Sequence, residues 1–204
     1  MTATATQVME TEHRNIETVV KALGGVALGI EQGQPAEVAL LEAAVEFFRF
    51  YADKLHHGKE EKLFFPLLVK RGVPAQGCPI GGLNHEHEKG RLLVQALAEQ
   101  TPAYARGSPD ARDALLQTLR GLVDLYQNHI WKEDAMVFPM AEKVLTAADQ
   151  EELSKDFSSV DRSVGLEAIA RMEQFAKGLA SIAAGQSPGA SSTQPDKCGC
   201  GCTS

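Results

Sequence analysis

The placement of the histidines constrains this fold more than any other sequence feature. All six lie where apolar residues recur at helical spacing; two matched His-x-x-x-Glu pairs stand out, His56 with Glu60 and His129 with Glu133, and His57 with Glu61 is an alternative to the first that spacing alone does not exclude. Residues four apart share one face of an α-helix, so each pair sets an imidazole beside a carboxylate. Both pairs run on to a Phe-Pro step, Phe65-Pro66 and Phe138-Pro139, at the same distance beyond the glutamate. Glu12-His13 is echoed by Glu86-His87, and the interval from His13 to His56 matches that from His87 to His129 to within one residue. The chain therefore reads as two similar helical hairpins related by a pseudo-twofold. Substituting His57 and His85 for His56 and His87 gives equal intervals too; the proline and apolar registers favour the first pairing.

Apolar spacing predicts a helix from Thr6 to about Ile30 and a second from about Pro35 to Lys70, which Pro66 ends or kinks. A third runs from Leu83 to about Ala105. A fourth spans about Pro109 to Lys143, with Ser108 as its N-cap and Pro139 kinking its end. Thr146 to Phe157 and Ser163 to Ala184 are further helical segments, packed outside the bundle. Only 6% of residues are aromatic, which favours helix over sheet in a chain rich in Ala and Leu. The expected architecture is all-α, an up-down four-helix bundle with one or two extra C-terminal helices. Residues 1-145 would form a metal-binding bundle, 146-184 a helical extension packed on it, and 185-204 a flexible tail carrying Cys198, Cys200 and Cys202.

The apolar offsets say which histidines face inward. His13 shares its face with Ile16, Val19, Val20 and Leu23, and His87 with Gly90, Leu93, Val94 and Leu97, whereas His85 aligns with Glu88 and Arg91. At about 100° per residue His56 falls on the side of Val45, Ala52 and Leu63, and His57 nearer Asp53 and Lys54. His129 and Glu133 follow Leu122 and Leu125 on one face. His57, Glu61, His85 and Asp134 are expected at outer positions. Tyr51, Tyr126 and Trp131 read as packing aromatics, Tyr126 also standing where it could donate a hydrogen bond to a bound oxygen species. Imidazole nitrogen and carboxylate oxygen suit iron, and carboxylates can bridge two ions. Four imidazoles and two carboxylates buried without a cation would carry a desolvation cost of several kcal/mol per ion.

With these residues in view, positions 5 to 145 resemble the hemerythrin family, in its bacterial HHE cation-binding branch. The matching text is Glu12-His13-Arg14-Asn15-Ile16, His56-His57-Gly58-Lys59-Glu60-Glu61 through Pro66, Glu86 through Arg91, and His129 through Pro139. The resemblance implies a hemerythrin-type bundle whose metal ligands are His13, His56, Glu60, His87, His129 and Glu133. It implies two iron ions, oxo- or hydroxo-bridged. The oxygen carriers of the family place two histidines one turn apart on the third helix. Here His85 and His87 point to different faces, so the inner shell is expected to be one histidine short unless His57 fills the position. An open position favours binding and reduction of O2, peroxide or nitric oxide, as in a peroxidase or nitric oxide reductase-like activity, over reversible storage. The alternative is an oxygen or iron sensor or store without turnover.

The net charge of -7 gives no basic footprint for nucleic acid or anionic lipid. The expected partners are therefore the small molecule and an electron-donor protein, with no nucleic acid and no membrane. No apolar run approaches the roughly 20 residues of a membrane helix, and four cysteines, three of them crowded into the tail, form no disulfide framework. A cytoplasmic location is expected.

Overall fold

The computed structural model describes residues 3–108 and 110–183. Helix α1, Ala5–Glu31, starts at a capping box in which the Gln7 amide donates to Thr4 Oγ1 at 3.3 Å while Gln7 Oε1 accepts from the Thr4 amide at 3.0 Å. The second helix is composite: α2 is Val38–Phe47, π-helical turns follow over Phe48–His57 and Glu60–Phe64, and α3 is Phe65–Lys70. Helix α4 is Ile80–Ala105 and α5 is Ala111–Lys132. A π-helical turn at Glu133–Val137 leads into α6, Phe138–Val144. Helices α7, Ala147–Val164, and α8, Leu166–Ala183, complete an all-α architecture, a four-helix bundle with two C-terminal helices. No helix among the described residues is long and apolar enough to cross a membrane.

Several boundaries depart from expectation. The second helix begins at Val38 rather than Pro35, and the third at Ile80 rather than Leu83. The fourth has Asp110, not Ser108, at its N-cap, and Pro109 lies outside the described residues. Helix α7 opens on a second capping box, Thr146 with Asp149, and runs past Phe157 to Val164 because no breaker intervenes before Gly165, whose φ of 111° only glycine adopts readily. The tail at 185–204, with its three cysteines, lies outside the described residues.

At each proline the backbone departs from ordinary α-helical winding. An ordinary α-helix would bring the Pro66 ring against the carbonyl four residues back. Here the helix widens: the Phe65 amide bonds the carbonyl of Glu60, five residues back, and the Phe138 amide bonds that of Glu133 in the same way. The repeated glutamate-to-proline interval is thus the sequence mark of a repeated π-turn, each opening on a glutamate.

The core has two apolar parts. One gathers Ile16, Leu23, Phe48, Leu55, Leu97 and Leu122, and Met172 of α8 joins it. The other gathers Met9, Phe64, Leu68, Leu83, Phe138 and, from α7, Phe157. Each such side chain, fully buried, contributes about 1.5–3 kcal/mol. Along every main helix the histidines and glutamates stand between these two parts: His13 between Met9 and Ile16, Glu60 between Leu55 and Phe64, His87 between Leu83 and Leu97. A polar layer is thereby enclosed in the middle of the bundle.

Candidate metal centre

Seven donors form this layer. Helix α1 supplies His13, the π-wound second helix His56, His57 and Glu60, α4 His87, α5 His129, and the last π-turn Glu133. None is more than 3% exposed. Their donor atoms fall into two groups, His13, His56, Glu60 and Glu133 in one, and His57, Glu60, His87 and His129 in the other, each within 4.8 Å. Glu60 Oε2 is 3.6 Å from His56 Nε2 and 3.4 Å from His87 Nε2. Glu133 Oε2 is 3.2 Å from His13 Nε2 and 3.3 Å from His129 Nε2. Each carboxylate therefore reaches a histidine of both groups.

A carboxylate orients four of the five rings from behind. Nδ1 donates to Asp134 at 2.6 Å from His13, to Glu12 at 2.9 Å from His56, to Glu61 at 2.7 Å from His87 and to Glu86 at 3.1 Å from His129. His57 Nδ1 stands 3.5 Å from Asp53. Cations brace these acids: Lys59 on Glu12, Lys132 on Glu86, Arg14 on Asp134, and Arg91 on both Asp53 and Glu61. Donation from Nδ1 turns the Nε2 atoms of His13, His56, His87 and His129 inward, the orientation a metal ligand requires.

The inward atoms fit a cation. His13 and His56 bring their Nε2 atoms to 3.0 Å, and His87 and His129 theirs to 3.2 Å, so the ring nitrogens of each pair converge on the middle of the layer. Both nitrogens of His57 and all four oxygens of Glu60 and Glu133 lack a hydrogen-bond partner though fully buried. Such orphans are rare in a folded core, and positive charge in the layer would satisfy the carboxylate oxygens and His57 Nε2. The protonation balance shows the same demand. Burial and the neighbouring imidazoles hold His56 and His57 far below the ordinary histidine range. Burial and the facing Glu133 push Glu60 up. Burial opposes charge on His13 also, yet Asp134 and Glu133 outweigh it and raise that ring to about 10.

Residues 4–141 match the hemerythrin HHE cation binding domain. The chain belongs to that family. Membership makes this HHE protein a cation-binding one, and the His–Glu layer is its candidate metal site. Uncharacterized proteins of Mycobacterium bovis and Mycobacterium tuberculosis are 31% identical to it over 120 residues, which is 58% of this chain and 46% of each relative. The chain thus spans about half the length of the curated relatives it matches. No solved structure matches it.

All six residues implied by the hemerythrin resemblance lie in the layer, and His85 is exposed on the outside of α4. The correction concerns His57. It was expected at an outer position, but π-helical winding over Phe48–His57 turns fewer degrees per residue than an α-helix, and both His56 and His57 face inward. His57 stacks on His87 with ring centroids 3.8 Å apart. His57 therefore joins the candidate ligands of the layer. Trp131 is also corrected: it is 61% exposed rather than packed. Sequence reasoning missed the bracing pairs of Lys59 with Glu12 and Lys132 with Glu86. The repeat carried their signal, since both lysines stand just before the paired glutamates.

Proposed function

We propose that this protein holds two iron ions between its histidine groups and binds and reduces O2, peroxide or nitric oxide there. The observation that carries this is that Glu60 belongs to both groups and Glu133 of the first also approaches His129 of the second: two carboxylates that each reach both sets of imidazoles are what a pair of adjacent cations needs. His57, His87 and His129 would hold one ion with the shared glutamates, and His13 and His56 the other. Bound iron would supply the electrons and the Lewis acidity that a small oxidant requires.

The donor count supports reactivity where the absent histidine no longer does. Iron takes about six donors in its common octahedral geometry, and the His13 and His56 group with its two carboxylates provides four, which leaves room for an exogenous ligand. The chain's own residues then serve orientation and exclusion. The Asp134, Glu12, Glu61 and Glu86 carboxylates fix the ring planes, and the phenylalanines on one side of the layer exclude water. A cavity of about 310 Å³ lined by Phe48, Asp53, His57, Arg91, Val94 and Tyr126 reaches the layer from outside. Burial keeps the Tyr126 phenol protonated, so it can donate a hydrogen bond.

Reduction consumes electrons, and we propose an electron-donor protein as the partner, with the cytoplasm as the place of action. The iron-loaded, reduced protein mixed with peroxide or nitric oxide and excess reductant should complete many turnovers. A stable adduct with O2 that releases it unchanged, and no turnover with any of the three, would replace the redox function with sensing or storage.

A further inference from the structure

Lys59 is 0% exposed, a position a lysine occupies only when carboxylates surround it. Two do. Its ammonium contacts Glu12 of α1 and lies 2.6 Å from Asp161 Oδ1 of α7, above the Phe157 ring at 5.4 Å. Glu12 accepts the Nδ1–H of His56 at 2.9 Å. Phe157 and Asp161 are one turn apart on α7, so a single face of that helix supplies both the floor and the second counter-ion of the lysine.

The pseudo-twofold provides an internal control. On the other half, Lys132 braces Glu86, which accepts from His129, in the same order. Lys132, however, has a side chain 39% exposed, and Glu86 is the sole carboxylate recorded against it among the described residues. Only the half covered by α7 carries the third member. Packing alone would not need Asp161 there, since Leu153 and Phe157 already bury α7 in the core.

We propose that Asp161, Lys59, Glu12 and His56 form a buried relay that couples metal occupancy to the docking of α7. It rests on the assignment of His56 as a metal ligand. A cation on Nε2 polarises the imidazole and strengthens the Nδ1–H donation to Glu12, which fixes that carboxylate, the lysine bonded to it and the aspartate behind the lysine. Coupling of this kind is reciprocal: docked α7 raises metal affinity, and bound metal tightens α7. Asp161 is a positioning residue and touches no metal.

The test is hydrogen–deuterium exchange along α7 in the full-length protein, metal-free and loaded with ferrous iron under anaerobic conditions, with iron content measured on the same samples. Exchange over Ala147–Val164 should slow on loading in the wild type. In Asp161→Asn iron should still bind, with affinity lowered about tenfold, and the slowing of α7 should vanish; Asp161→Glu should restore part of it. Iron uptake by the wild type with no change in α7 exchange overturns the relay and leaves the metal site standing. Full slowing in Asp161→Asn overturns it also. Failure of the wild type to take up iron overturns the metal assignment, and the relay with it. The wild-type comparison stands even where a variant does not fold.

Discussion

His57 occupies a donor position that the two halves of the chain do not share. Its counterpart in the repeat is Ile130, which packs in the apolar core at 2% exposure. The repeat that located the other six donors therefore pointed away from the seventh. The inward faces of His13, His87 and His129 were legible because their helices wind near 100° per residue. His57 was not, because nothing in Phe48–His57 announces π-winding at the level of single residues. His57→Ala should lower metal affinity at least about tenfold, whereas His85→Ala, on the exposed face of α4, should leave it unchanged; metal analysis of the two purified variants compares them directly. Protonation gives a second prediction at this scale. His56 and His57 resist protons that an unfolded chain accepts as pH falls through 6.5, so their contribution is present above that value and lost below it. His13, raised to about 10, behaves oppositely: its contribution is whole below 6.5 and is lost as pH climbs towards 10. Thermal melts of the metal-free protein across this range should peak near neutrality and fall on both sides, and a curve rising steadily with pH would contradict the inward placement of these rings.

Among the elements, the four main helices could be read from apolar periodicity, but their ends could not. Capping chemistry set several boundaries: Thr4 with Gln7 opens α1, and Thr146 with Asp149 opens α7. Asp149 carries a further load, accepting from Arg71 at 2.7 Å and so tying α7 to the end of α3. Thr146→Ala should lower global stability by about 1 kcal/mol without changing metal content, as read by urea unfolding of the loaded protein. The prolines were legible as interruptions, but the π-winding around them was not. Their effect became clear only with the backbone, where the residue before each proline bonds a carbonyl five back and the glutamate at the head of the turn enters the polar layer.

For the molecule as a whole, the central layer divides one core into two, and its orphaned acceptors make the folded state depend on what fills it. Metal binding to such a site is folding free energy. Chelation should lower the melting temperature of the loaded protein and widen hydrogen exchange first in the π-wound second helix, which supplies three of the seven donors. Restoring ferrous iron should reverse both changes, and circular dichroism melts before chelation, after it and after reloading would register them. The bundle class followed from the spacing of His, Glu and Pro together, because each repeated motif set an imidazole beside a carboxylate on a helix face. The extent of α7 and its hold on Lys59 did not, since Asp161 and Lys59 are far apart in sequence and ordinary in composition.

The most direct test of the two-ion site is an iron titration of the metal-free protein under anaerobic conditions, followed by metal analysis, on the wild type and on Glu60→Gln. Two irons per chain in the wild type, with coupled loss of both in Glu60→Gln, is the result predicted by a carboxylate shared between two histidine groups. A single iron per chain whose binding is indifferent to Glu60→Gln, or no uptake at all, would contradict it.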